Sequence, residues 1–180
     1  FLPYGTGALL VREGSTLRAV HSATAGYLPE NQDEFYDPAQ YGPELSRGFP
    51  GLRVWMSVKL YGAARYRAAV AEKRSLAVWA AERVARIPGI VMDAAPQLSL
   101  FAFHVEGAAL TTQDARNAAT EQLVGRVTER GKVMLTGCTV DGRYLARVCV
   151  LSFRTRMAEM EACVQHLTEE TAAILAGSPN

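Results

Sequence analysis

Apolar positions along this chain follow two different periods, and the change of period divides it. Gly7 to Glu13 (GALLVRE) is a short continuous apolar run that predicts a buried strand, closed by a turn at Glu13, Gly14 and Ser15. Regular signals then stop. From Ser22 to Glu44 there is no Lys or Arg, while five carboxylates, three prolines and the aromatics Tyr27, Phe35, Tyr36 and Tyr41 fall in the same stretch. Structureless connections beyond about 12–15 residues are uncommon in compact domains and tend to be lids, binding loops or linkers. Disordered linkers are poor in aromatics, so a lid or binding loop is the better expectation.

From Gly51 the period becomes helical. Leu52, Trp55, Val58, Leu60 and Tyr61 recur at roughly 3.6 residues, and Gly62 punctuates them. A longer helix is predicted from about Ala63 to Arg86, with Tyr66, Val70, Leu76, Trp79 and Val84 as core contacts, ending at Ile87-Pro88-Gly89. The remainder reads as a small α+β unit. Gln97 to Val105 is a strand, Asp114 to Arg130 a helix closed by Gly131, and Lys132 to Val140 a strand. Asp141-Gly142 makes a hairpin turn, because a type I′ turn needs positive φ at both central positions, and it leads into a strand from Arg143 to Leu151. Thr155 to Leu175 is the closing helix, with Thr155 as its N-cap.

Composition alters this picture little. The chain has 180 residues, 49% of them hydrophobic and 21% charged, with a net charge of +1, which disfavours nucleic acid or an acidic membrane surface as partner. No apolar run approaches the ~20 residues of a membrane span, and the opening FLPYGTG has neither the basic region nor the unbroken apolar core of a signal peptide. Cys138, Cys149 and Cys163 are odd in number and lack a C-x-x-C pair, which fits free buried thiols in a reducing, cytoplasmic setting. His21, His104 and His166 are scattered, and no Cys/His cluster has metal-ligand spacing, so no metal is expected. A P-loop, G-x-G-x-x-G, H-E-x-x-H and G-x-S-x-G are all missing. PYGTG leads into a strand pattern rather than a helix, which favours a strand-entry turn over a phosphate cradle.

Longer blocks carry more. FLPYGTGALLVRE, AGYLPEN, PELSRGFPGLRVWMSVKLYGAARYRAAV, LSLFAFHVEG and KVMLTGCTVDGRYLARVCVLSF resemble, in that order, the carboxy-terminal part of the group II pyridoxal 5′-phosphate (PLP) dependent decarboxylases, the aromatic-L-amino-acid decarboxylase family. The resemblance implies the α/β fold of PLP-dependent fold type I. It divides this chain into the end of the large PLP-binding domain (1–21), a catalytic lid loop (22–46), connecting helices (47–88) and a small α+β carboxy-terminal domain (89–180). It also implies a homodimer with the active site at the subunit interface, an amino-acid substrate, and a cofactor-bearing lysine in a His-Lys pair upstream of Phe1. The 180 residues alone are then expected to be inactive.

The resemblance assigns two residues of this chain to the site. Tyr27, followed by Leu28, falls on the loop tyrosine associated with protonating the substrate's Cα in the neighbouring subunit; a phenol of ordinary pKa near ~10 stays protonated at neutral pH and can donate in a closed site. Ser46 falls where the family brings a small residue to the cofactor phosphate, and its N–H and hydroxyl suit a phosphate oxygen. The plainer roles are loop packing for Tyr27 and an N-cap for Ser46. Arg47 reads as a structural ion-pair residue, and Gly48 and Pro50 replace arginines common in the animal enzymes. His104, Arg143 and Arg147 receive no role. Phenylalanine in place of the loop tyrosine accompanies aldehyde formation in related proteins, so Tyr27 favours a carboxy-lyase that yields an amine. The alternatives are an aldehyde synthase or other lyase of the same fold, or a non-catalytic α+β ligand-binding or interaction domain.

Overall fold

The computed structural model describes residues 5–22 and 36–177, which fall into two compact units, one up to Gly62 and one from Ala63 onward. The first contains helix α1 (Gly14–His21), a short 3-10 turn (Pro38–Tyr41) and helix α2 (Pro50–Tyr61). Residues 7–13 form no strand: Leu9 and Leu10 are exposed, and no described strand pairs with them. A strand exists only as paired backbone, so an apolar run without a neighbour stays extended coil. The next residues form α1 instead of the expected turn. In the 3-10 turn, the Asp37 carboxylate accepts the Ala39 N–H at 3.0 Å, and Tyr36 stacks on Tyr41 with ring centroids 4.8 Å apart.

The second unit runs α3 (Ala63–Val84), β1 (Ile90–Gln97), β2 (Leu100–Val105), α4 (Gln113–Glu129), β3 (Thr136–Val140), β4 (Arg143–Cys149) and α5 (Met157–Leu175). Its sheet is antiparallel throughout, in the order β1-β2-β4-β3. Two hairpins are thus joined through their inner strands. Phe101, Phe103 and Val105 of β2 and Ala146 and Val148 of β4 point to one face and are buried there with α3, α4 and α5. Period-2 alternation sends Leu100, Ala102, His104, Leu145, Arg147 and Cys149 to the other face.

The single strand expected over 97–105 is the second arm of a hairpin whose first arm is β1. Leu98 turns the corner at φ 54°, a conformation that glycine or asparagine normally signals, so the turn carries no sequence cue. β1 is an edge strand with register shifts on either side of Ala94, which is how it accommodates Pro96, a residue without an N–H to donate. The Asp141-Gly142 turn has positive φ at both positions, 48° and 77°, as expected.

Helix α3 buries Lys73, Leu76, Ala77, Ala80, Ala81 and Val84, an i, i+3, i+4 stripe whose alanines let the helix approach the sheet closely. Val70, expected in the core, is 51% exposed. Lys73 opens that stripe and donates to the Thr155 carbonyl at 2.5 Å, while neighbouring Glu72 receives two hydrogen bonds from Arg156 at 2.7 and 2.6 Å. α3 is thereby tied to the start of α5. Thr155 is not the N-cap of α5; Arg156 is, and its N–H is accepted by the Glu159 carboxylate at 2.7 Å.

Two polar side chains of α4 fasten the hairpins. Thr120, fully buried, accepts the Val105 N–H at 3.0 Å and donates to the Arg116 carbonyl at 2.8 Å. Asn117 accepts the Tyr144 N–H at 2.8 Å and donates to the Gly142 carbonyl at 2.9 Å. Thr120→Val keeps the shape but leaves the Val105 N–H unpartnered, which costs about 1–3 kcal/mol. Urea unfolding should show a lower midpoint at unchanged slope; an unchanged midpoint would mean that another acceptor replaces the hydroxyl. On the acid side, hydrogen bonds from Arg156 and then Lys73 hold the Glu72 carboxyl below its ordinary range. The contribution of Glu72 is present above the unfolded carboxyl range near ~4.3 and is lost as pH falls through the lower folded value. Glu72→Gln should therefore flatten part of the acid limb of stability against pH, read by thermal unfolding at stepped pH.

Candidate functional site

Tyr27 lies outside the described residues. Ser46 is exposed, between the 3-10 turn and α2. It does not cap α2, whose N-cap is Phe49 with Pro50 in the first turn. Pro50 has no N–H, so the helix start offers an anion fewer donors than usual. Arg47 enters no ion pair with a described residue; its guanidinium lies beside Gly42, where an added Cβ would stand 3.3 Å from Nη1. The expected ion-pair role is not seen among the described residues. Helix α2 exposes Leu52, Trp55, Met56, Val58, Leu60 and Tyr61, and Lys59 sits 5.8 Å from the Trp55 ring centroid.

The face of the sheet turned away from the helices holds a polar cluster. The register shift in β1 inserts Asp93 between Met92 and Ala94, and its carboxylate reaches His104 Nδ1 at 2.7 Å and Arg143 Nη1 at 3.3 Å. His104 Nε2 faces the Glu106 carboxylate at 3.5 Å, and the same Glu106 oxygen lies 3.9 Å from Arg116 Nε on α4. The side chains of Asp93 and His104 are each 10% exposed. Arg147, on the same face, donates through Nη2 to Thr136 Oγ1 at 3.2 Å, and its buried Nε has no acceptor. The sequence left His104 and Arg143 without a role because their partner Asp93 sits in an edge strand that periodicity did not show.

All three cysteines are free: Cys163 is buried, Cys138 half-buried and Cys149 exposed. Burial was expected for thiols in apolar strand-like runs, but Cys149 is the last residue of β4 on the face without helices. Among the described residues no helix is long and apolar enough to cross a membrane.

The fold is shared with PLP-dependent decarboxylases of fold type I. A TDC from Oryza sativa solved with PLP and tryptamine superposes with a TM-score of 0.78 at 20% identity, covering 92% of this chain and 35% of that one. A 4-hydroxyphenylacetaldehyde synthase from Rhodiola rosea superposes with a TM-score of 0.70 at 22% identity, over 80% of this chain and 31% of that one. In sequence, the aromatic-L-amino-acid decarboxylase of Bacillus atrophaeus is 28% identical over 167 residues, 89% of this chain. Tyrosine decarboxylase 2 of Arabidopsis thaliana is 28% identical over 109 residues, 59% of this chain and 19% of that protein. No family model matches the chain. It spans about a third of the Bacillus protein, 34% of its length. The chain is thus similar in sequence to aromatic-L-amino-acid decarboxylases and shares the fold of PLP-dependent decarboxylases.

Burial pushes the Cys163 thiol up to about 12, so almost no thiolate exists near neutral pH. In the folded chain at pH ~8, a small thiol reagent should modify Cys149 first and leave Cys163 untouched until denaturant is added. Mass spectrometry of the peptides reads this directly, and rapid modification of Cys163 would contradict its burial.

Proposed function

We propose that this chain is the carboxy-terminal part of a homodimeric, cytoplasmic PLP-dependent L-amino-acid decarboxylase. The observation that carries the reading is the similarity to the Bacillus aromatic-L-amino-acid decarboxylase across 89% of the chain, together with the shared fold. The Oryza structure contains tryptamine, an aromatic amine, and the curated relatives are named for aromatic substrates, which favours an aromatic amino acid here as well.

When bound, PLP provides the electron sink for the pair left on Cα as carbon dioxide departs. The proposed tasks of this chain are binding and proton delivery. Ser46, exposed ahead of a helix whose first turn contains a proline, offers a hydroxyl and an N–H to a phosphate oxygen. Tyr27 supplies the proton that Cα needs to complete the amine, its phenol being neutral at working pH and its proton retained until water is excluded. On this reading the cofactor lysine belongs to a part of the enzyme other than these 180 residues, which alone should release no carbon dioxide.

The aldehyde synthase from Rhodiola keeps a second reading open, since its fold is shared too. Tyr27 separates the two. In a longer protein carrying the lysine, with dioxygen as the two-electron oxidant, Tyr27→Phe should suppress amine and raise aldehyde, ammonia and hydrogen peroxide; unchanged products would remove Tyr27 from its assigned role. Ser46→Ala should weaken PLP binding about tenfold, as expected for losing one hydrogen bond to a charged acceptor, measured by cofactor titration. Unaltered affinity would return Ser46 to an ordinary loop residue.

A further inference from the structure

The cluster around His104 is not needed by the reaction proposed above, and its geometry is unusual. Both ring nitrogens face carboxylates: Nδ1 lies 2.7 Å from Asp93 and Nε2 lies 3.5 Å from Glu106. A carboxylate only accepts, so the Asp93 contact requires hydrogen on Nδ1, and a favourable Glu106 contact requires hydrogen on Nε2 as well. With both present, charge alternates along Arg143, Asp93, His104, Glu106 and Arg116, contributed in that order by β4, β1, β2, the residue after β2, and α4. No charged group of α3, β3 or α5 among the described residues is ion-paired into this row.

We propose that Asp93, His104 and Glu106 form a proton-operated clamp across the β1–β2 edge. It is closed when both ring nitrogens carry hydrogen, and open on the Glu106 side when the Nε2 proton leaves to water. Asp93 holds the ring in either state. Arg143 keeps the Asp93 carboxylate oriented, and the inserted position in β1 aims Asp93 at this face. Glu106 is the moving part: it is half exposed, and one of its oxygens lies between His104 and Arg116. Losing the Nε2 hydrogen turns an attractive contact into one between a ring lone pair and a carboxylate, which drives Glu106 toward Arg116. Glu106 and Arg116 also line an open hollow of about 390 Å³ with Gly89, Ile90, Val91 and Gly107, so the clamp sets the charge arrangement at that surface.

The test follows imidazole nitrogen and backbone amide resonances of the isotopically labelled 180-residue chain between about pH 5 and 8. His104 is identified as the ring whose signals vanish in His104→Gln. Nδ1 should stay protonated throughout while Nε2 titrates, and the amides of Glu106, Gly107 and Arg116 should shift with the same midpoint. In Glu106→Gln, a half-exposed substitution that leaves the core untouched, the ring should still titrate but the Arg116 amide should no longer follow it. A bare Nδ1 with hydrogen on Nε2, or Glu106 and Arg116 amides indifferent to the His104 titration, would overturn the clamp. So would the same amide shifts persisting in His104→Gln.

Discussion

The second unit depends on burying one face of β2 and β4. Phe101, Phe103 and Val105 sit on the strand that joins the two hairpins, and fully burying each contributes about 1.5–3 kcal/mol. A register slip of one residue would turn these side chains outward and bring His104 and Ala102 into the apolar layer. The central pairing of Phe101 with Val148 and Phe103 with Ala146 therefore constrains everything else. Thr120 and Asn117 then meet strand or turn backbone that this register has already placed.

The same alternation creates the polar face. A sheet covered by helices on one side must present every second residue to the other, and here those residues are Asp93, His104, Arg143 and Arg147 with their partners. Asp93 reaches the face because an edge strand tolerates an inserted residue, whereas a central strand would lose pairing on both sides. Stability on the helix side and chemistry on the open side thus come from one strand pair. Alanines in α3 serve the first role by bringing the helix close, and Lys73 opens that stripe by reaching the Thr155 carbonyl at the start of α5.

Much of the second unit was legible beforehand. The helices near 63–86, 114–130 and 155–175 are long runs rich in helix-forming residues, and Asp141-Gly142 has the residues a tight turn demands. What escaped notice did so for physical reasons. β1 contains Pro96 and two register shifts, so its alternation is broken, and the turn at Leu98 uses positive φ without glycine or asparagine. Lys73 lay on the buried stripe at correct spacing, but a lysine signals solvent unless a carbonyl 82 positions away is known to receive it. The strand expected at Gly7–Glu13 erred the other way, since apolar residues describe the surface a strand could bury and say nothing of a neighbour to pair with.

By itself the sequence determined the family resemblance, the order of the later elements and the residue types available for binding and proton delivery, because local propensity and long idiosyncratic blocks survive without a fold. Ser46 and Tyr27 were named on that ground alone. Only tertiary structure decided that Asp93, His104, Glu106, Arg116 and Arg143 form one row of charges, and that Cys149 is exposed while Cys163 is not. These are properties of distance and burial between residues far apart along the chain, and packing sets them where no local pattern can.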